Sequence, residues 1–160
     1  MHTAFLLIGG NLGDRINNLQ QAAMLTEENC GDIISISSIY ETEAWGFTDQ
    51  PSFLNQVLVL NTTLTPEDLM QQLLAVEEQL GRKRAEKMGP RTIDIDILLL
   101  DEIVYHSETL TLPHPSLHLR RFALIPLAEV APGKKHPLLN KTIEELLTDC
   151  PDTLAVKKIS

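Results

Sequence analysis

The sequence predicts an α+β fold: a ferredoxin-like βαββαβ antiparallel sheet with helices packed on it, extended by a C-terminal hairpin and helix. Three observations predict it. Apolar, β-branched runs and segments of helical periodicity follow one another over residues 5 to 100 in the order strand, helix, strand, strand, helix, strand. Residues 103 to 150 add two short apolar runs and two short helical patterns. Gly and Pro are evenly spread, with no repeat, low-complexity tract or linker, so residues 1–160 read as a single domain.

Phe5 to Ile8 reads as a buried strand and Gly9-Gly10 as the turn after it. Asp14 caps a helix with the stripe Ile16, Leu19, Ala23, which stops at Gly31. Ile33 to Tyr40 and Phe53 to Thr63 read as strands, joined by a loop with Gly46 and Pro51. Thr65-Pro66-Glu67-Asp68 opens a second helix with the stripe Leu69, Leu73, Val76, Leu80 and a stop at Gly81. Thr92 to Leu100 is the next strand. Ile103-Val104 and Leu110 to Leu112 form a hairpin, Phe122 to Val130 a short helix, and Thr142 to Glu145 a capping box for the last helix.

Composition narrows the function. Apolar residues make up 43% and charged residues 22% of the chain, which is globular usage. A chain of this length buries roughly 70% of its unfolded surface and needs no staple. The formal charge of -9 speaks against nucleic acid or an anionic membrane as partner. Cys30 and Cys150 lack zinc-ligand spacing and read as incidental thiols of a reducing compartment. The first apolar run is too short for a signal sequence or a membrane span, so a cytoplasmic, soluble protein is expected. No strong apolar stripe is left over, which points to a monomer.

The chemistry concentrates between residues 82 and 98. In Ile93-Asp94-Ile95-Asp96-Ile97 the period of two sets the isoleucines on one strand face and both carboxylates on the other, with Cα atoms roughly 6.5 Å apart. Such a pair either is a solvated polar face or holds a cation, and its hard oxygens suit Mg²⁺. Arg82, Lys83, Arg84, Lys87 and Arg91, five of the thirteen bases, stand just before it. They read as surface ion pairs or, with the metal, as the other half of a polyphosphate site.

Two further groups stand out. His114 lies between Pro113 and Pro115, which stiffen its backbone, with Arg120 and Phe122 shortly after. It is either an inconsequential loop histidine or a donor to phosphate. Four of the seven aromatic residues, Tyr40, Trp45, Phe47 and Phe53, fall between 40 and 53, and Phe53 shares a strand face with Asn55. A ring beside a carboxamide can stack on a flat heterocycle and read its edge; the alternative is a small satellite core. There is no P-loop, and Gly9-Gly10-x-x-Gly13 does not fit G-x-G-x-x-G.

In order along the chain, Gly9-x-Asn11-Leu12-Gly13, Ser37-Ser38-x-Tyr40-x-Thr42, Gln50-Pro51-x-Phe53-Leu54-Asn55, Gly81-Arg82, Gly89-Pro90-Arg91-Thr92-Ile93-Asp94-Ile95-Asp96, Pro113-His114-Pro115 and Arg120-x-Phe122 resemble the 6-hydroxymethyl-7,8-dihydropterin pyrophosphokinase family of folate biosynthesis. The resemblance covers about residues 4 to 132. It implies ATP and 6-hydroxymethyl-7,8-dihydropterin as partners, with AMP and the pterin diphosphate as products. It also implies two Mg²⁺ ions on Asp94 and Asp96. Arg82 and Arg91 would neutralise charge during transfer, with Arg84 arriving from the loop. His114 and Arg120 would clamp the triphosphate, with Glu77 near the nucleotide. The pterin would stack between Phe53 and Phe122 and bond to Asn55 and to the backbone from Thr42 through Ala44 to Trp45. Asp96 would accept the hydroxymethyl proton. Met88, Trp45, Leu74 and Thr109 depart from the family pattern, and the loop ending at Gly89 is one residue shorter. Other readings of the acid pair are a Mg²⁺-dependent phosphohydrolase or nuclease, or a non-catalytic pterin-binding module.

Overall fold

The computed structural model describes residues 1–43, 50–81 and 92–160. Its elements are β1 (His2–Gly10), α1 (Arg15–Cys30), β2 (Asp32–Ile36), β3 (Tyr40–Thr42), β4 (Phe53–Thr62), α2 (Pro66–Gln79), β5 (Asp94–Leu100), β6 (Tyr105–His106), β7 (Thr111–Leu112), α3 (Arg121–Val130), α4 (Ile143–Asp149) and β8 (Val156–Lys158), with a 3₁₀ turn at Leu117–Leu119. Strand order in the main sheet is β5-β1-β4-β3-β8, with β2 also on β4. Every pairing is antiparallel. With β2 and β3 taken together as one interrupted strand, this is the predicted ferredoxin-like order.

The period of two divides the strands between two cores. Ala4, Leu6 and Ile8 of β1, Leu58 and Leu60 of β4, and Ile95 and Ile97 of β5 pack against Leu19 and Ala22 of α1 and Leu69, Leu73 and Val76 of α2. Phe5, Leu7, Val57, Val59, Leu98 and Leu99 face the opposite way, under Ala123, Leu124 and Leu127 of α3 and Ile143 and Leu146 of α4. A register shift opposite Phe5 and Leu6 lets Leu98 and Leu99 lie on the same side. The predicted caps are present: Asp14 accepts from the Asn17 N–H at 3.1 Å, Thr65 from Asp68 at 3.2 Å, and Thr142 with Glu145 forms the capping box.

The structure corrects five local expectations. Gly9 and Gly10 end β1 instead of forming the turn. Ile16 is exposed; the buried side of α1 runs through Leu19, Ala22, Leu25, Thr26 and Cys30. The strand drawn from Ile33 to Tyr40 is broken around Ser37. There the Ser37 N–H donates to Val57 O at 2.9 Å, while the Ser37 hydroxyl takes the place of a ladder carbonyl and accepts from the Val57 N–H at 2.8 Å. The hairpin pairs Tyr105–His106 with Thr111–Leu112, two residues beyond Ile103-Val104. Finally, β8 adds a strand on β3 that no periodicity announced.

Candidate active site

Asp94 and Asp96 emerge half-buried on the α3–α4 side of β5, while Ile93, Ile95 and Ile97 enter the α1–α2 core as the alternation requires. The neighbouring strands decide what stands beside them. Gly9 of β1 pairs with Asp94 on one side and with Asn55 of β4 on the other, so the three form one row across the sheet. A Cβ on Gly9 would meet Asn55 Oδ1 at 2.3 Å and Leu54 O at 2.9 Å. The Asn55 side chain therefore lies across the Gly9 backbone, in space that only glycine leaves open. Asn55 is buried. The next row is Asp96, Leu7 and Val57, where the apolar core begins.

Phe53 opens β4 and pairs with Thr42 at the end of β3. The Thr42 hydroxyl donates to Ala155 O at 3.1 Å, and Thr42 is buried between its pairing partners Phe53 and Val156. Phe122 lies half-buried in the first turn of α3, the helix that covers this side of β4, and the Arg120 guanidinium sits 5.7 Å from its ring centre. Asn11 and Arg15 anchor the chain that leads into Phe53: Asn11 Nδ2 donates to Gln50 Oε1 at 2.8 Å and to Pro51 O at 2.9 Å, and Arg15 Nη1 donates to Ser52 O at 2.9 Å and to Glu41 at 2.8 Å.

His114 is fixed against β5 by its backbone, whose N–H donates to Leu98 O at 2.9 Å. Burial pushes its imidazole pKa down to about 4; nearby Arg120 acts in the same sense and Asp94 opposes it. His114 Nδ1 accepts from the Ser116 N–H at 3.1 Å. The neutral ring so assigned carries its proton on Nε2 and is a hydrogen-bond donor there. Glu77 is buried, and its Oε2 accepts from the Ile95 N–H at 2.6 Å, between the two aspartates. It supports the acid pair through the backbone of β5.

A cavity of about 310 Å³ opens at the outer edge of β5. Met70 of α2, Ile95 and Ile97 floor it, the hairpin residues from His106 to Thr111 wall it, and Asp96 and His114 stand within its lining. Of the predicted site residues, the fold thus brings Asp94, Asp96, His114, Arg120, Asn55, Phe53, Phe122 and Thr42 to one side of the sheet or its β5 edge. Arg82, Arg84, Arg91, Ala44 and Trp45 lie outside the described residues. Sequence reasoning missed Gly9 as the floor under Asn55, and Met70 and Thr111 as lining. Gly9 carries a signal, a glycine just after an apolar run, but by local pattern that signal equally fits a turn. Met70 and Thr111 carried none.

The sheet order defines a ferredoxin-like α+β frame, on which an acid pair stands near a buried imidazole and the Arg120 guanidinium; the family comparison adds the class, a pyrophosphate-transferring enzyme. The family model described as "7,8-dihydro-6-hydroxymethylpterin-pyrophosphokinase (HPPK)" matches residues 5–132, and the chain belongs to that family. It is 43% identical, over 91% of its length and 90% of the relative's, to the 2-amino-4-hydroxy-6-hydroxymethyldihydropteridine pyrophosphokinase of Aquifex aeolicus. With the enzyme of the same name from Synechocystis it shares 40% identity over 93% of this chain and 77% of the other. Among solved structures it resembles a Plasmodium falciparum HPPK-DHPS chain, with TM-score 0.76 and 19% identity, covering 92% of this chain and 44% of that one.

Proposed function

We propose that the chain transfers the pyrophosphoryl group of ATP to the hydroxymethyl oxygen of 6-hydroxymethyl-7,8-dihydropterin in folate biosynthesis, releasing AMP and the pterin diphosphate. Family membership supports the reaction. One observation supports its assignment to this site: the acid pair stands between the Asn55 carboxamide and the β5-edge cavity. On the β1–β4 side lies the Asn55 carboxamide over Gly9 with Phe53 beyond; on the β5 edge lies the 310 Å³ cavity. An amide and aromatic rings suit a flat pterin, and an apolar floor with a hydroxyl-bearing wall suits a nucleoside.

Asp94 and Asp96 fit Mg²⁺, because their donors are hard oxygens and both are half-buried on one strand face. When bound, two such ions would supply charge neutralisation and alignment of the phosphates. His114 donates from Nε2 to a phosphate oxygen, and Arg120 adds a fixed positive charge beside it. Asn55 bonds to the pterin edge, Phe53 and Phe122 hold its faces, and the Thr42 backbone lines its rim. The hydroxymethyl oxygen forms its bond to the β-phosphorus as the bond from that phosphorus to the α–β bridging oxygen breaks; Asp96 takes the proton. Arg82, Arg84 and Arg91 complete the charge balance in this reading, with Ala44 and Trp45 beside the pterin. The chain works as a single-domain cytoplasmic monomer that binds neither nucleic acid nor membrane. Among the described residues no helix is long and apolar enough to cross a membrane.

The test is AMP formation from ATP and Mg²⁺ with and without the pterin alcohol, for wild type and Asp94→Ala. AMP that requires the pterin and disappears in the variant is the expected result. Phosphate release without pterin would replace the transferase reading by a phosphohydrolase.

A further inference from the structure

We propose that Glu67 is a positioning residue for the nucleotide: its carboxylate gathers the hydroxyls of Tyr105, Ser107 and Thr109 and so sets the hairpin that walls the cavity beside Asp96 and His114. Ser107 Oγ donates to Glu67 Oε1 at 2.6 Å and Tyr105 OH to the same oxygen at 3.1 Å. Thr109 Oγ1 donates to Oε2 at 2.8 Å and to Oε1 at 3.0 Å. Hydrogen bonds to an ionised acceptor are the strong ones, and three residues converge on this single acceptor. The Ser107 and Thr109 bonds hold the Glu67 carboxyl below its ordinary pKa; burial opposes them and the Tyr105 bond adds to them.

The hairpin needs such an anchor. Strands β6 and β7 have two residues each and, among the described residues, pair only with one another, and a ribbon that short has little stability of its own. Leu110 and Leu112 bury its base, but the side chains of residues 107 to 109 lie beyond that core. Glu67 reaches them from the first turn of α2. One turn further, at i+3, Met70 floors the cavity that the hairpin walls. A single helical turn thus provides the floor and fixes the wall. The reaction described above does not use Glu67.

This inference rests on the reading that the cavity takes the nucleoside part of ATP, and the test separates the two. Binding of a non-hydrolysable ATP analogue with Mg²⁺ and of inorganic tripolyphosphate with Mg²⁺ is measured for wild type, Glu67→Ala, Glu67→Gln, Thr109→Val, the Glu67→Ala/Thr109→Val pair and Met70→Trp. Glu67→Ala is expected to weaken the analogue by about tenfold, the scale of a lost charge-assisted bond, and to leave tripolyphosphate unchanged. Its KM for ATP rises while kcat at saturating ATP holds. Glu67→Gln keeps an acceptor oxygen and recovers most of the loss. The paired variant binds no more weakly than Glu67→Ala, because both substitutions break the same contact. Unchanged analogue binding in Glu67→Ala, equal weakening of tripolyphosphate, or additive losses in the pair would overturn the proposal. If Glu67→Ala does not fold, Thr109→Val and Ser107→Ala carry the same prediction at about threefold each. Met70→Trp fills the cavity. Unchanged analogue binding there overturns the reading of the cavity; a loss there with none in Glu67→Ala overturns only the positioning role.

Discussion

The side of the sheet that faces α3 and α4 has two halves built from the same three strands. In one half Phe5, Val59, Leu98 and Leu99 close against Leu124 and Leu127. In the other, the same alternation delivers Asp94, Gly9 and Asn55 as a single lateral row, with Phe53 at its end. The boundary is the row of Asp96, Leu7 and Val57, where one position belongs to the site and two to the core. Along β1 the registers with β4 and β5 run unbroken through that boundary, while the β2–β3 edge breaks opposite Val57. A rigid, closed half therefore holds an open one in register, and substitutions in the two should separate stability from activity.

The largest effect belongs to the open half. Asp94→Ala or Asp96→Ala should lower pterin-dependent AMP formation on the order of 10³-fold, the usual scale for losing transition-state charge stabilisation. Thermal melting of the free protein should stay near wild type, because neither carboxylate is part of a hydrophobic cluster. The mirror experiment is Leu124→Ala in the closed half: Leu124 is fully buried, and its truncation should cost about 3 kcal/mol in denaturant unfolding. Activity per folded molecule should survive it. A loss of specific activity there as large as that of the aspartate variants would erase the division.

Gly9→Ala tests the boundary more finely. The added Cβ displaces the Asn55 side chain, so pterin affinity should fall about tenfold, with roughly 1–3 kcal/mol of destabilisation from overpacking. Nucleotide binding should change much less; calorimetric titration of each ligand reads both. A milder perturbation is Glu129→Gln on α3. Glu129 accepts from Tyr40 OH at 2.6 Å and from the Ser38 N–H, tying the helix to the broken β2–β3 edge. Burial alone would raise its carboxyl; the Tyr40 and Ser38 hydrogen bonds and Lys158 outweigh it, so its pKa lies below the ordinary value. The tie therefore stabilises the fold above the unfolded carboxyl's pKa and is lost as pH falls through the lower folded value. Wild type should melt slightly above Glu129→Gln at neutral pH, by less than about 1 kcal/mol for so exposed a group. The two should converge under acid.

Much of this was legible because local rules act on neighbouring residues. The D-x-D alternation, the Thr65-Pro66 start, the Thr142 capping box and the shared face of Phe53 and Asn55 each depend on a period or a cap within a few positions. The break at Ser37 was not legible, since a serine hydroxyl replaces a ladder acceptor only when Val57 of another strand is there to donate. The β8 strand was hidden for a similar reason: three residues on a sheet edge have too short a pattern to announce themselves.

The sequence by itself determined the class of fold, the buried face of α2, the faces of the two aspartates and the family to which the chain is similar. Tertiary structure alone decided that Gly9 is the floor beneath Asn55, and that burial holds the His114 imidazole well below its ordinary pKa. It alone made Glu67, some forty residues distant in the chain, the anchor of the hairpin. Periodicity and capping are properties of one segment; close approach, desolvation and convergent hydrogen bonds exist only between segments, once packing has brought them together.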